Sequence, residues 1–235
     1  MEIKTDYSGV EIIPLYQPII DVKEKRIVGF EATTKGRIES TNEEVSYDKL
    51  KECNIDNLDF HARDIAVNEF ELYEDYKLFV NITPKELVNP LFYEDIDITR
   101  LVLEITEDST YPEEEEWRIL QRIDRLKEVG LDIAVDDLGK QNSNIDTIST
   151  FKPRIIKMDM GAKNKEPAIA KGYLMQNEYE VVIEGIEDEE EYKEWLNAGC
   201  RYMQGFYFAK PMEYKQLISG IATRKLLNHI KSIIE

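Results

Sequence analysis

Eight strand-length apolar runs, helical patterns between most of them, and one connection too short for a parallel crossover predict an α/β fold. That fold is a TIM-like (β/α)8 barrel with an antiparallel first strand. The runs are LYQPII (15–20), RIVGFEAT (26–33), KLFVNIT (77–83), RLVLEIT (100–106), LDIAVDD (131–137), RIIKMDM (154–160), EVVIEG (180–185) and RYMQGFYF (201–208). Each is bounded by polar or turn residues, as strands are. Strands that alternate with helices pair in parallel, and eight of them suit a closed barrel. Only DVKEKR separates the first two runs, whereas a parallel crossover needs about a dozen residues. The first strand must therefore turn back on the second.

The helical segments carry their own signals. YDKLKECNIDNLDFHARDIAVNEFEL fits one or two helices. TPKELVNPL begins with Thr83 as N-cap and Pro84 at the first helical position. PEEEEWRILQRIDRLKEVG opens acidic and ends at Gly130, and EDEEEYKEWLNAG repeats that polarity. SNIDTISTF is a short helix, and the tail EYKQLISGIATRKLLNHIKSII is amphipathic and should pack back on the barrel. With no internal repeat, low-complexity segment or linker, residues 1–235 read as one domain.

Composition narrows the function. The 235 residues carry a net charge of −18, from 48 acids against 30 bases. Binding to polymeric DNA or RNA, which needs a basic surface, is disfavoured. A small anionic ligand held by a few bases or metal ions is not. Cys53 and Cys200 are the only cysteines, which suits reduced thiols in a cytoplasmic protein better than a disulfide scaffold. The charged start MEIKTDYSGVE lacks the apolar core of a signal peptide, and no apolar run approaches the ~18 residues of a membrane span.

The strand ends carry the chemistry. Side chains alternate faces along a strand, and on this period Glu31 follows Gly29, Asn81 follows Phe79 and Glu104 follows Val102. Likewise Asp136 follows Ala134, Lys157 follows Ile155, Glu184 follows Val182 and Gln204 follows Tyr202. All sit at or near the C-terminal ends of their runs, the face where barrels of this type build active sites. Asp137 stands beside Asp136. Like charges at ~4 Å cost about 4 kcal/mol per pair at an effective dielectric near 20, and one lysine cannot balance five acids. Either some are protonated or cations lie among them. Oxygen ligands without His or Cys favour Mg²⁺, Mn²⁺ or Ca²⁺. Two such ions ~3.5–4 Å apart are a common device for phosphodiester hydrolysis. A lone acid at a strand end is more often a loop residue or a helix cap. Seven polar residues placed alike on seven strands do not reduce to that.

At these residues the sequence resembles the EAL-domain family of bacterial cyclic di-GMP phosphodiesterases, from about Pro14 to Pro211. YQPIID with IVGFEA matches the opening and naming motifs, with Thr33 in place of leucine. VNIT, LEITE, VDDLG, IIKMD, IEGIE and QGFYFAKP match the later motifs in order. The resemblance implies a TIM-like barrel with an antiparallel first strand. It also implies that Glu31, Asn81, Glu104 and Asp136 ligate a first metal, and that Asp136, Asp137 and Glu184 lie around a second. Lys157 would bind and polarise the attacking water, with Glu187 and Gln204 in support, and Gln17 would contact a guanine base. Two Mg²⁺ or Mn²⁺ ions would be required, Ca²⁺ would inhibit, and linear pGpG would be the product.

Besides Thr33, the sequence departs from the family pattern in three places. Lys35 stands where the family has an arginine for a substrate phosphate, keeping the charge but losing the two-pronged guanidinium. The loop DDLGKQNSNI lacks the family's second glycine and its aromatic. The segment between Lys157 and Glu184 is short by a couple of helical turns. The last two changes touch the family's dimer surface, so a homodimer would be weakened or altered. Three functions stay open: the phosphodiesterase; a catalytically impaired module that acts as a cyclic di-GMP receptor or protein-interaction regulator; and another metal-dependent barrel chemistry of lyase or enolase type.

Overall fold

In the computed structural model the first two long strands form the hairpin that their short connection requires. It describes residues 6–7, 9–53, 55, 57–72, 75–87, 98–106, 113–136, 145–159, 172, 179–222 and 224–234. The strands are β1 (Asp6–Tyr7), β2 (Val10–Asp21), β3 (Arg26–Ile38), β4 (Glu43–Ser46), β5 (Lys77–Ile82), β6 (Leu101–Ile105), β7 (Asp132–Val135), β8 (Ile155–Asp159), β9 (Glu180–Glu184) and β10 (Tyr202–Met203). The helices are α1 (Tyr47–Glu52), α2 (Leu58–Glu69), α3 (Pro84–Leu87), α4 (Glu116–Glu128), α5 (Ile145–Phe151), α6 (Glu189–Ala198), α7 (Tyr214–Ala222) and α8 (Lys225–Ile233).

The barrel closes in the order β2-β10-β9-β8-β7-β6-β5-β3, with β3 pairing back onto β2. β2 is antiparallel to both neighbours, and the other neighbouring pairs run parallel. β1 and β4 extend the β2–β3 hairpin at its far end. The tight turn after β2 is held by Asp21, whose Oδ1 accepts from the backbone N–H groups of Lys23 at 3.2 Å and Glu24 at 3.0 Å. Its Oδ2 accepts two guanidinium hydrogen bonds from Arg201 at 2.7 and 3.0 Å. Asp21 is fully buried, so this pair satisfies a carboxylate that would otherwise be costly to bury.

Alternation sorts the strand residues into two layers. Ile19, Phe79, Val102, Ala134, Ile155 and Val182 pack inside the barrel, with Val28 and Tyr202 against them. Their neighbours Leu78, Val80, Leu103, Ile133, Ile156 and Ile183 face outward. There they join a core with Ile119, Ile123 and Leu126 of α4 and Trp195 of α6. Gly29 is where the inner layer has no side chain to spare: a Cβ there would lie 2.6 Å from the Lys77 carbonyl oxygen and 2.9 Å from the Phe79 ring. The phenyl ring fills the space that glycine leaves.

Two segments differ from the sequence expectation. The eighth run, expected over 201–208, is a strand only at Tyr202–Met203. Beyond it the chain folds onto Ile186, which donates to the Gln204 carbonyl at 3.1 Å and accepts from Tyr207 N–H at 3.0 Å. Gly205 permits that approach, since a Cβ there would sit 2.0 Å from the Ile186 oxygen. The tail is two helices, α7 and α8, split before Arg224 in a left-handed conformation (φ 55°). Leu217, Leu226 and Ile230 are buried, so the tail does pack back as expected.

Candidate active site

Each strand places its polar residue two positions beyond the inner apolar layer, on the rim at the C-terminal ends of the parallel strands. The register aligns Asn81 with Glu104 and Gln17 with Glu31. Lys157 is fully buried, and its Nζ lies 2.7 Å from Glu184 Oε1, 2.8 Å from Glu104 Oε1, 3.2 Å from Asp136 Oδ1 and 3.3 Å from Glu31 Oε2. Four acids from four strands thus surround one ammonium group.

Gln204 ties the opposite side of the rim. Its Nε2 donates to Glu31 Oε2 at 2.6 Å and to Gln17 Oε1 at 3.1 Å. Gln17 in turn donates to the Ala209 carbonyl at 3.0 Å. Glu31 is therefore held at a single oxygen, Oε2, by both the Gln204 amide and the Lys157 ammonium. Glu184 is aimed by the turn that follows it, in which Gly185 takes a positive φ of 72°. Glu187 lies on the exposed part of that turn, and its backbone N–H donates to Glu191 at 2.9 Å.

One positive charge does not neutralise four acids. Burial pushes the Glu104 and Glu184 carboxyls well above the usual carboxylate range, and the neighbouring acids push the same way against the pull of Lys157. Burial alone would lower the Lys157 ammonium, but Asp136, Glu104, Glu184 and Glu31 together raise it well above an ordinary lysine. The four carboxylates thus favour the ammonium form of Lys157. Three buried oxygens on this rim, Glu104 Oε2, Asn81 Oδ1 and Gln204 Oε1, have neither a hydrogen-bond partner nor an ion pair. Unpartnered buried acceptors are uncommon and call for a donor or a cation.

Among the described residues, no three His, Cys, Asp or Glu side chains are arranged to hold a metal ion by themselves. The ammonium takes the middle of the acids instead. The donor set is nonetheless all oxygen, with excess negative charge and three unbonded acceptors on one rim, and it fits a hard divalent cation.

Two cavities open here. One of about 310 Å³ is lined by Gln17, Glu31, Asp136, Glu184, Glu187 and Gln204, with Asp159 and Phe206 beside them. The other, about 410 Å³, runs outward from Asn81 and Asp136 between β3, β5 and α2, past Thr33, Tyr47, Asp59 and Arg63. Of the residues singled out by sequence, Glu31, Glu104, Asp136, Lys157, Glu184, Gln204 and Gln17 come together in contact. Asn81 and Glu187 line the cavities beside them. Lys35 stands apart: its Nζ is bound by Glu44 at 2.7 Å and Glu213 at 2.8 Å, and it lines neither cavity. Asp137 and most of the loop after it lie outside the described residues.

Sequence reasoning passed over Asp159 and Arg63. Asp159 was legible, because it follows Lys157 by two residues in the same strand and pairs in register with Glu184. Arg63 carried no such signal, since its partners are set by how α2 lies on the barrel.

A family model for the EAL domain matches residues 2–211. The chain is similar to the probable cyclic di-GMP phosphodiesterase PdeI of Escherichia coli strain K12, at 27% identity over 238 residues. That match takes in 87% of this chain and 29% of PdeI, so the chain spans under a third of that relative's length. Among solved structures it resembles a standalone EAL protein from Vibrio cholerae O395 with c-di-GMP bound, with a TM-score of 0.72 and 25% identity over 88% of this chain and 94% of that one. The fold is also that of Bacillus subtilis YkuI, an EAL-domain protein in complex with c-di-GMP and calcium. The TM-score there is 0.69, at 23% identity over 95% of this chain and 61% of that one.

Proposed function

Because this chain belongs to the EAL-domain family, we propose that it is a divalent-metal-dependent phosphodiesterase that cuts one phosphodiester bond of cyclic di-GMP to give linear pGpG. The observation that carries this reading is the rim itself: Glu31, Glu104, Asp136 and Glu184 converge on Lys157, and Glu104 Oε2 and Asn81 Oδ1 are left without partners. The c-di-GMP held by the Vibrio cholerae relative supports the substrate. The calcium in the YkuI complex supports a divalent ion in such a fold.

In this reading Glu31, Asn81, Glu104 and Asp136 would hold a first Mg²⁺ or Mn²⁺. Asp136, Asp137 and Glu184 would hold a second. When bound, such ions supply a water of lowered pKa and neutralise charge that develops on the phosphoryl oxygens. Lys157, charged throughout the physiological pH range, donates to the attacking water and keeps it on the rim. Gln204 fixes the Glu31 carboxylate in one orientation, which spares reorganisation during the reaction. Glu187 supports the second ion's side of the cavity, and Gln17 contacts a guanine base. The apolar layer of Phe79, Val102, Ile155 and Val182 beneath the acids excludes water from below.

The reading extends to the whole chain as one EAL-type domain over 1–235. The chain is cytoplasmic, binds no polymeric nucleic acid and is not inserted in a membrane, and any homodimer it forms is weakened or altered. No helix among the described residues is long and apolar enough to cross a membrane. A second reading, a catalytically impaired module that acts as a cyclic di-GMP receptor or protein-interaction regulator, rests on the altered loop DDLGKQNSNI, which lacks the family's second glycine and its aromatic. Incubation with cyclic di-GMP and Mn²⁺ separates the two. Release of pGpG that is lost in Glu31→Ala supports the enzyme, tight binding without product supports the receptor, and absence of binding refutes both.

A further inference from the structure

We infer that Arg63 and Glu86 are positioning residues for Asn81, forming a clamp outside the barrel that holds this ligand's backbone in place. The inference rests on the metal-binding reading above. Arg63 belongs to α2, not to the rim, yet its side chain is only 3% exposed. A buried guanidinium is costly unless its donors are met, and here both terminal nitrogens are met in a pattern that converges on residues 81–83. Nη1 donates to the Asn81 carbonyl at 2.9 Å, and Nη2 to Glu86 Oε1 at 2.8 Å. Glu86 Oε2 accepts from both the backbone N–H and the hydroxyl of Thr83, at 3.0 and 2.9 Å. Thr83-Pro84-Lys85-Glu86 thus has the glutamate half of a capping box, with the Glu86 N–H donating to the Thr83 carbonyl at 3.0 Å, and this glutamate is also the partner of Arg63.

The clamp sits where the sheet supports β5 on one side only, through the β6 pairs Asn81–Glu104 and Ile82–Ile105. On the β3 side the β5 ladder ends at the Ala32–Val80 pair, one residue before Asn81. Past that point Arg63 takes the Asn81 carbonyl, and Glu86 ties down Thr83 two residues later. The Asn81 side chain carries one of the unpartnered buried oxygens of the site, so its aim is not set by a hydrogen bond of its own. The backbone clamp supplies that aim. Removing partners that orient metal ligands typically costs about 10- to 100-fold in metal affinity.

The barrel provides its own control. Arg201 and Asp21 form a comparable pair of a guanidinium with a buried carboxylate, but they hold the β2–β3 turn and touch no rim residue. The test is isothermal titration of the metal-free full chain with Mn²⁺, alongside thermal melts, for Arg63→Met, Arg63→Lys, Glu86→Gln and Arg201→Met. We expect Arg63→Met to weaken Mn²⁺ binding by about 10- to 100-fold and Arg63→Lys to recover part of the loss. Arg201→Met should lower the melting temperature while leaving Mn²⁺ affinity unchanged. Should Arg63→Met fail to fold, the near-isosteric Glu86→Gln decides by the same readout. Folded Arg63 or Glu86 variants that bind Mn²⁺ as tightly as the parent chain overturn the clamp alone. A parent chain that binds no Mn²⁺ overturns the proposed function and the clamp with it.

Discussion

Replacing Glu104 by glutamine removes one negative charge from the rim with almost no change of shape, and the structure sets the size of the effect. At an effective dielectric of about 20, the 2.8 Å contact with Lys157 favours ionised Glu104 by about 6 kcal/mol. The nearest oxygens of Glu31, Asp136 and Glu184 lie 3.3, 3.2 and 2.7 Å from the same nitrogen. Each is therefore no more than about 6 Å from the Glu104 oxygen and, when ionised, opposes its charge by close to 3 kcal/mol or more. Three such repulsions, about 8 kcal/mol together, exceed the attraction before desolvation is counted. Protonation already relieves much of this, so Glu104→Gln should stabilise the metal-free chain by a residual of about 1–2 kcal/mol. For a chain of this size that is a rise of about 2–8 °C in melting temperature. The assay is thermal unfolding by circular dichroism in chelator and again in Mn²⁺. The variant should melt higher than the parent in chelator and gain little from Mn²⁺, while the parent gains more. A variant that melts lower in chelator, yet keeps the parent's full response to Mn²⁺, would refute the claim that unbalanced charge marks a cation site.

Three further outcomes follow. Because Glu104 and Glu184 are raised in the folded chain, the native state binds more protons than the unfolded one above the ordinary carboxylate pKa. Metal-free stability should therefore fall as pH rises from about 4.3 through the raised values, and the stabilisation by Mn²⁺ should grow over the same range, as melts across a pH series will show. Asp21 and Glu86 are lowered, since Arg201 and Arg63 with the backbone donors outweigh burial. Their contribution is full above about pH 4 and is lost as pH falls through their depressed values, giving an acid limb that Arg201→Met should flatten. Gly205→Ala should destabilise by about 1–3 kcal/mol, because its Cβ would meet the Ile186 backbone at 2.0 Å. It should also weaken Mn²⁺ binding by displacing Gln204 and Glu184, measured by calorimetry on the folded fraction.

Much of the rim was legible because a strand has period two. Counting back two residues from Asn81, Glu104, Asp136, Lys157 and Glu184 lands on Phe79, Val102, Ala134, Ile155 and Val182, which are the inner layer. The antiparallel first strand was legible for a similarly simple reason, the length of one connection. What sequence does not reveal is how charges find partners across the chain. Lys35 looked like a substrate contact, but Glu213, far along the sequence, and Glu44, across the β3–β4 hairpin, reach it first. Lys157 looked like one more rim residue, whereas its length and burial put its ammonium at the centre of the acids. Arg63 gave no sign of touching Asn81, because that contact depends on the seating of α2. The shortness of β10 follows from backbone packing of Gly205 on Ile186, which no local propensity encodes.

The most direct measurement is a crystal structure of this chain grown with Mn²⁺ and read at the manganese absorption edge. The account predicts anomalous density bounded by Glu31, Asn81, Glu104 and Asp136, with a second peak toward Glu184 and the Lys157 ammonium moved off the centre of the acids. Absence of anomalous density on that rim, with Lys157 still bound by all four carboxylates, would contradict it.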